Sequence, residues 1–174
     1  MEDTTDRIVN KVANSPLVTF DLEDHYQVGE RVMLDIKDQL FEGLILREKD
    51  FRDFIKSNDW SQFKGKYVAL SCSADAIVPM WAYMLLAIGL QPFAREVIFG
   101  SIDDLEAAIF SKYFDQFDWK QFKDAKVVIK GCSKVNIPTA VYVEATTRIM
   151  PYASSVMFGE PCSTVPLFKK PKVS

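Results

Sequence analysis

The sequence predicts an α/β protein: a mostly parallel sheet with helices on both faces, built from an internal duplication and extended by an N-terminal β addition. Two observations carry that expectation. The first is self-similarity. Residues 59–100 realign on residues 118–159, beginning with Asp59-Trp60 on Asp118-Trp119 and ending with Phe99-Gly100 on Phe158-Gly159. Both ends are 59 positions apart, and between Lys66/Lys126 and Ile77/Ile137 an offset of 60 gives more identities. Seventeen pairs are identical, where average residue usage would give roughly two or three. The second observation is the alternation of short β-rich runs with helix-length apolar patterns, the signature of βαβ units and a parallel sheet. Right-handed crossovers are expected between such strands.

The elements follow in order. Residues 3–13 suit a short helix with Thr4 or Thr5 near its cap, ended by Asn14-Ser15-Pro16. Residues 17–22 and 31–37 alternate apolar and polar side chains and read as strands, either a hairpin or an edge addition. Residues 44–58 carry Leu46, Phe51, Phe54 and Ile55 on one helical face. The run 66–71 reads as a buried strand. Pro79 opens the next helix, where its missing N–H costs nothing, and that helix continues to Leu90 as a buried one. Residues 95–99 form a strand closed by Gly100. Ser101 caps an amphipathic helix over 102–117 with acids in its first turn. The second copy repeats the pattern with a strand at 126–130, a helix at 138–150 and a strand at 155–158. The chain is read as one domain: an N-terminal segment 1–43, repeat one at about 44–100, repeat two at about 101–162, and a solvated basic tail 163–174.

Composition narrows the functional classes. The chain has 174 residues, a net charge of −3, 48% apolar and 26% charged residues. These are ordinary values for a globular protein with a real core. The acidic balance argues against a nucleic-acid partner. The N-terminus lacks the apolar segment of a secretory signal, and the apolar run 78–90 is too short to span a bilayer. A cytoplasmic location, reduced thiols and no membrane partner are the resulting expectations.

The chemistry-bearing candidates are the cysteines. Cys72 and Cys132 each follow a strand, and Cys162 follows the last one through Gly159-Glu160-Pro161. Along a parallel sheet that places three thiols on the carboxyl edge, where ligands of open α/β sheets bind. Two of the loops lead into helix N-termini, which favour thiolates. Three thiolates with Asp75, Asp103 or water as a fourth ligand would suit zinc. An iron–sulfur cluster or thiol redox chemistry is a further option. Against these stands plain packing, since cysteine is among the most buried residue types and the spacing lacks any C-x-x-C pair. His25, the only histidine, reads as a solvent-facing loop residue. The charged stretch from Asp35 to Asp53 reads as a solvated face. Trp60 and Trp119, with Phe63 and Phe122, read as repeated core anchors, and Tyr83 and Tyr142 pair likewise. Dinucleotide, Walker, metalloprotease and nucleophile-elbow signatures do not occur in the sequence.

The phrases DIKDQLFEGLILREKDFRDFIK, KYVALSCSADAIVP and MFGEPCSTVPLFKK resemble a bacterial, Bacteroidetes-type family, the domain of unknown function 2480. The resemblance covers nearly the whole chain. It implies a cytoplasmic single-domain protein and brings no activity, substrate or cofactor with it. Two functional readings therefore stand side by side. One is a thiol-lined zinc or redox site. The other is a non-enzymatic interaction or scaffold protein, with an added β edge that suits homodimerisation.

Overall fold

The computed structural model describes residues 17–131, 134–160 and 162–171. The helix expected over 3–13 and Cys132 lie outside the described residues. In chain order the elements are strands β1 (Leu17–Asp21) and β2 (Arg31–Asp35), helix α1 (Glu48–Ser57), strand β3 (Tyr67–Ser71), helix α2 (Met80–Leu90), strand β4 (Glu96–Phe99), helix α3 (Ile102–Phe114), strand β5 (Lys126–Lys130), helix α4 (Thr139–Ile149), and strands β6 (Ser155–Glu160) and β7 (Ser163–Lys169). Single 3₁₀ turns at Trp60–Phe63 and Trp119–Phe122 precede β3 and β5.

The fold is α/β, with two mostly parallel sheets in place of one. The first has the order β2-β3-β4 and the second β1-β5-β6-β7. They fall in two compact units: Tyr26–Tyr113, a continuous stretch, and Met1–His25 together with Phe114–Ser174. The hairpin alternative for the two N-terminal strands does not hold. β1 pairs parallel with β5 and β2 pairs parallel with β3, so each is the edge addition of a different sheet. The tail expected from 163 onward is also a strand as far as Lys169. β7 pairs antiparallel with β6, with a register shift between Val156 and Met157. Pro166 and two following lysines disguise it in the sequence, yet an edge strand tolerates proline because one row of its N–H groups faces away from the ladder.

In the Tyr26–Tyr113 unit the three-stranded sheet is covered on both faces, and β3 shows why its sequence is continuously apolar. Val68 and Leu70 pack with Phe51 of α1 and with Ala82, Leu86 and Leu90 of α2. Tyr67 and Ala69 turn the other way onto Leu105 and Ile109 of α3. Parallel strands buried on both sides need apolar residues at every position. The start of α3 is fixed as expected. The Asp104 amide donates to Ser101 Oγ at 3.1 Å and the Ser101 amide donates back to the Asp104 carboxylate at 2.8 Å, a reciprocal capping box. In the other unit α4 packs on β5, burying Val141, Ala145 and Ile149. Phe20 sits among Phe114, Phe117, Trp119 and Phe122, with ring centroids 5.4–6.2 Å apart.

The two matched windows hold the same elements at a constant separation of 59, with no inserted residue. The Arg95 amide donates to the Lys66 carbonyl, and the Ser154 amide donates to the Ala125 carbonyl, both at 2.8 Å. Tyr67 lies opposite Glu96 in one sheet and Lys126 opposite Ser155 in the other. Gly65 and Asp124 both have positive φ. The indoles of Trp60 and Trp119 donate to the carbonyls of Ile55 and Phe114, each five residues back. This register corrects the sequence alignment around the thiols: Cys72 corresponds to Gly131, one position ahead of Cys132. The flanking contacts agree. A Cβ at Gly131 would come within 2.4 Å of the Tyr142 hydroxyl, whereas Cys72 occupies that place beside Tyr83, the match of Tyr142.

Candidate interaction face and the strand-end loops

The carboxyl ends of the strands were the expected site, and each sheet organises its own. At the end of β2, Asp35 accepts from the Lys37 amide at 3.0 Å, the Ser73 amide at 3.1 Å and Ser73 Oγ at 2.5 Å. The Ser73 hydroxyl, then its amide and that of Lys37, overcome the slight burial and hold the Asp35 carboxyl below the ordinary range. The carboxylate thus ties the loop after β3 back to β2. Cys72, half-buried, packs against the apolar cluster of α1 and α2, and its thiol faces the Ala74 carbonyl at 3.9 Å. The Tyr83 ring meets Phe99 edge-on at 4.8 Å. Burial first, then the neighbouring Cys72 and Asp35 side chains, push the Tyr83 phenol above its ordinary value.

The other sheet repeats the geometry with different chemistry. Asp21 ends β1 as Asp35 ends β2, and each accepts from the amide two residues on at 3.0 Å. Here the carboxylate faces an ammonium: Lys130 Nζ lies 3.2 Å from Asp21 and 3.6 Å from Glu160. Tyr142 meets Phe158 edge-on at 5.9 Å, as Tyr83 meets Phe99. Sequence reasoning missed Asp21 and used Asp35 only as a surface charge. The signal was present in the parallel phrases Phe20-Asp21-Leu22 and Leu34-Asp35-Ile36, each a strand end followed by a buried apolar residue.

The structure does not gather the expected metal ligands on one sheet. Cys72 follows β3 of the three-stranded sheet, with Asp75 in the loop beyond it and Asp103 in the first turn of α3. Cys162 is exposed in the turn between β6 and β7 of the four-stranded sheet. Cys132 lies outside the described residues, and among those described no group of three or more His, Cys, Asp or Glu could hold a metal ion.

His25 is a correction. Instead of facing solvent it stacks on Phe20 at 4.6 Å and meets the edge of Phe117 at 5.1 Å. Burial lowers its pKa from 6.5 against the opposing pull of Asp24 and Asp21, so the neutral ring is the native form. The unfolded chain takes up its proton near pH 6.5, the folded one only at lower pH. The stability from this ring is therefore complete above about pH 6.5 and declines as pH falls towards the folded value. Thermal unfolding followed from pH 7.5 to 5 is expected to show this decline, and His25→Phe to flatten it. An unchanged slope in the variant would remove the assignment.

The feature that the rest of the molecule does not explain is the outer face of α2. This helix was expected to be buried. It is buried on one side only, through Ala82, Leu86 and Leu90. Met80, Met84 and Ile88, one ridge at spacing four, are 83%, 65% and 69% exposed. Ile77, 92% exposed, leads into the ridge, and a parallel bridge between Ile45 and Ile77 brings the exposed Leu44 and Ile45 alongside. The matched helix α4 presents the same ridge to solvent with Thr139, Val143 and Thr147. Geometry is shared and chemistry is not, so backbone constraints do not account for the apolar residues of α2. A depression of about 320 Å³ lined by Lys120, Lys123, Asp124, Pro151, Tyr152 and Lys170 lies at the amino ends of β5 and β6. It is at the opposite end of those strands from the loops described above.

Among the described residues no helix is long and apolar enough to cross a membrane. Comparison with curated proteins and with solved structures returns no match. A family model described as "Protein of unknown function (DUF2480)" matches residues 6–170. That match spans both sheets, the four α-helices of the described residues and both matched windows, and the chain belongs to the DUF2480 family.

Proposed function

We propose that this chain is an interaction protein whose contact face is the outer ridge of α2 with the adjoining Ile77 and the Leu44-Ile45 segment. One observation carries the reading: large apolar side chains at the exposed ridge of α2, where the matching ridge of α4 carries two threonines and a valine. Burying such a face releases roughly 25 cal/mol per Å² of apolar area, and a helix apolar all round belongs in contact on all sides. Contiguous exposed apolar patches on soluble domains mark interaction sites. Methionines suit such a surface because the unbranched thioether adapts to a partner's shape. Cys72 fits this reading as a packing residue, held against the same apolar cluster that supports α2 from within.

The test is site-specific photocrosslinking in the cells that make the protein. A benzophenone amino acid in place of Met84 is expected to give a discrete covalent adduct on illumination. The same group in place of Val143 on α4 is the control, expected to give none. Absence of any adduct from position 84, or equal labelling at both positions, would overturn the reading.

A further inference from the structure

We infer that the partner on this face is a second copy of the same chain, docked about a two-fold axis that pairs α2 with α2. The inference rests on the contact face proposed above. Helix α2 carries no charged residue along its whole length, Met80–Leu90. A two-fold contact sets the same patch of both chains face to face, with residues at the axis against their own counterparts, so like charges are the usual obstacle to self-association, and here there are none on the helix. Met80, Met84 and Ile88 form a single ridge at spacing four, the row that interdigitates when two helices pack with both such ridges engaged. With the axis at Met84, antiparallel packing sets Met80 of one chain against Ile88 of the other. Eleven residues give a helix about 16 Å long, enough for three such side chains and no more. Ile77, Leu44 and Ile45 extend the face beyond the end of the helix. Fully covered, the exposed surface of these six residues would be comparable with the roughly 800 Å² per partner of a standard specific interface. Homodimer interfaces are the more apolar class, which suits a helix without a charged residue.

Sedimentation and light scattering of the full chain from about 1 to 200 μM test this. The expected result is a species of twice the 19.8 kDa chain mass, giving way to monomer on dilution. Met84→Glu would set two carboxylates against each other at the axis and is expected to raise the dimer dissociation constant at least about a hundredfold. At dilutions where both proteins are monomeric its thermal stability should match that of the unsubstituted chain, because the side chain is exposed in the monomer. Val143→Glu on the matched ridge is expected to leave the dimer intact. A dimer that survives Met84→Glu overturns the inference. So does a strict monomer at the highest concentration. If that monomer still yields a position-84 adduct with a different protein, the contact face stands and only its occupant changes. If it yields none, both fall together.

Discussion

Replacing Glu106 with alanine is expected to cost about 3–5 kcal/mol, the usual penalty for leaving a buried charge without its partner. Glu106 lies in α3 and grips Arg31 at the start of β2 with both oxygens, at 2.8 and 2.9 Å. The two side chains are only 9% and 6% exposed. Arg31 also donates to the Gly29 carbonyl at 2.7 Å, and its guanidinium lies 4.3 Å over the Tyr26 ring and 4.9 Å over the Tyr67 ring. Burial alone would lower the Arg31 pKa, but the hydrogen bonds and charge of Glu106 outweigh it and hold the group above its ordinary value. Two of the guanidinium's hydrogen bonds thus go to a carboxylate that alanine removes. A fall of about 10 °C in the midpoint of thermal unfolding is the expected reading. The pair itself is a weaker source of stability than its rupture suggests, because two ions lose their hydration together. The double variant Arg31→Met with Glu106→Leu is therefore expected to recover most of the loss. A single-variant cost below about 1 kcal/mol would show that the pair is hydrated in solution.

The second large effect concerns the matched tryptophans. Trp119→Ala is expected to cost about 3–5 kcal/mol, as for other buried aromatics. The indole is buried, meets Phe20, Phe114, Phe117 and Phe122, and donates to the Phe114 carbonyl at 2.8 Å. Trp60→Ala is expected to cost less, since Trp60 is only half-buried and touches Phe54 and Phe63. It still holds α2 closely: a Cβ at Gly89 would lie 2.9 Å from its ring. Trp→Phe at either position keeps most of the apolar contact and loses the indole hydrogen bond, a loss of about 1 kcal/mol. Chemical denaturation of the four variants measures all of this. Equal costs for the two alanine variants would mean that burial does not rank the two anchors.

The elements that were legible in the sequence are those set by local chemistry. β5 begins and ends where the second copy of the repeat places a strand, at Lys126 and Lys130, and α3 begins just after the serine whose hydroxyl caps it. The tryptophans were recognisable as anchors because they stand at matched positions of the repeat, each after a helix. What misled was information that only pairing supplies. An offset of 60 around Cys72 gains identities at Lys66, Cys72, Ser73 and Ile77, but in a strand a one-residue slip turns every side chain to the other face. The ladders keep 59, and the thiol correspondence goes with the slip. One sheet was expected because the strands alternate with helices in a single series. Nothing local told β1 to wait for β5 while β2 took β3. The exposed ridge of α2 was hidden for a related reason: a helix apolar on every side has no preferred inward face, so only the packed structure shows which residues are left outside.

The nesting of one sheet's segment within the other's has a consequence for biosynthesis. All of Tyr26–Tyr113 is contiguous, so its three strands can associate as soon as they leave the ribosome. β1 is made earlier, yet its neighbour β5 starts at Lys126. At typical translation speeds β1 stays without its ladder for roughly 5–20 s. Closure of the four-stranded sheet thus comes after the inner segment has had time to fold, and a nascent chain arrested before Lys126 should display an orphan strand to chaperones.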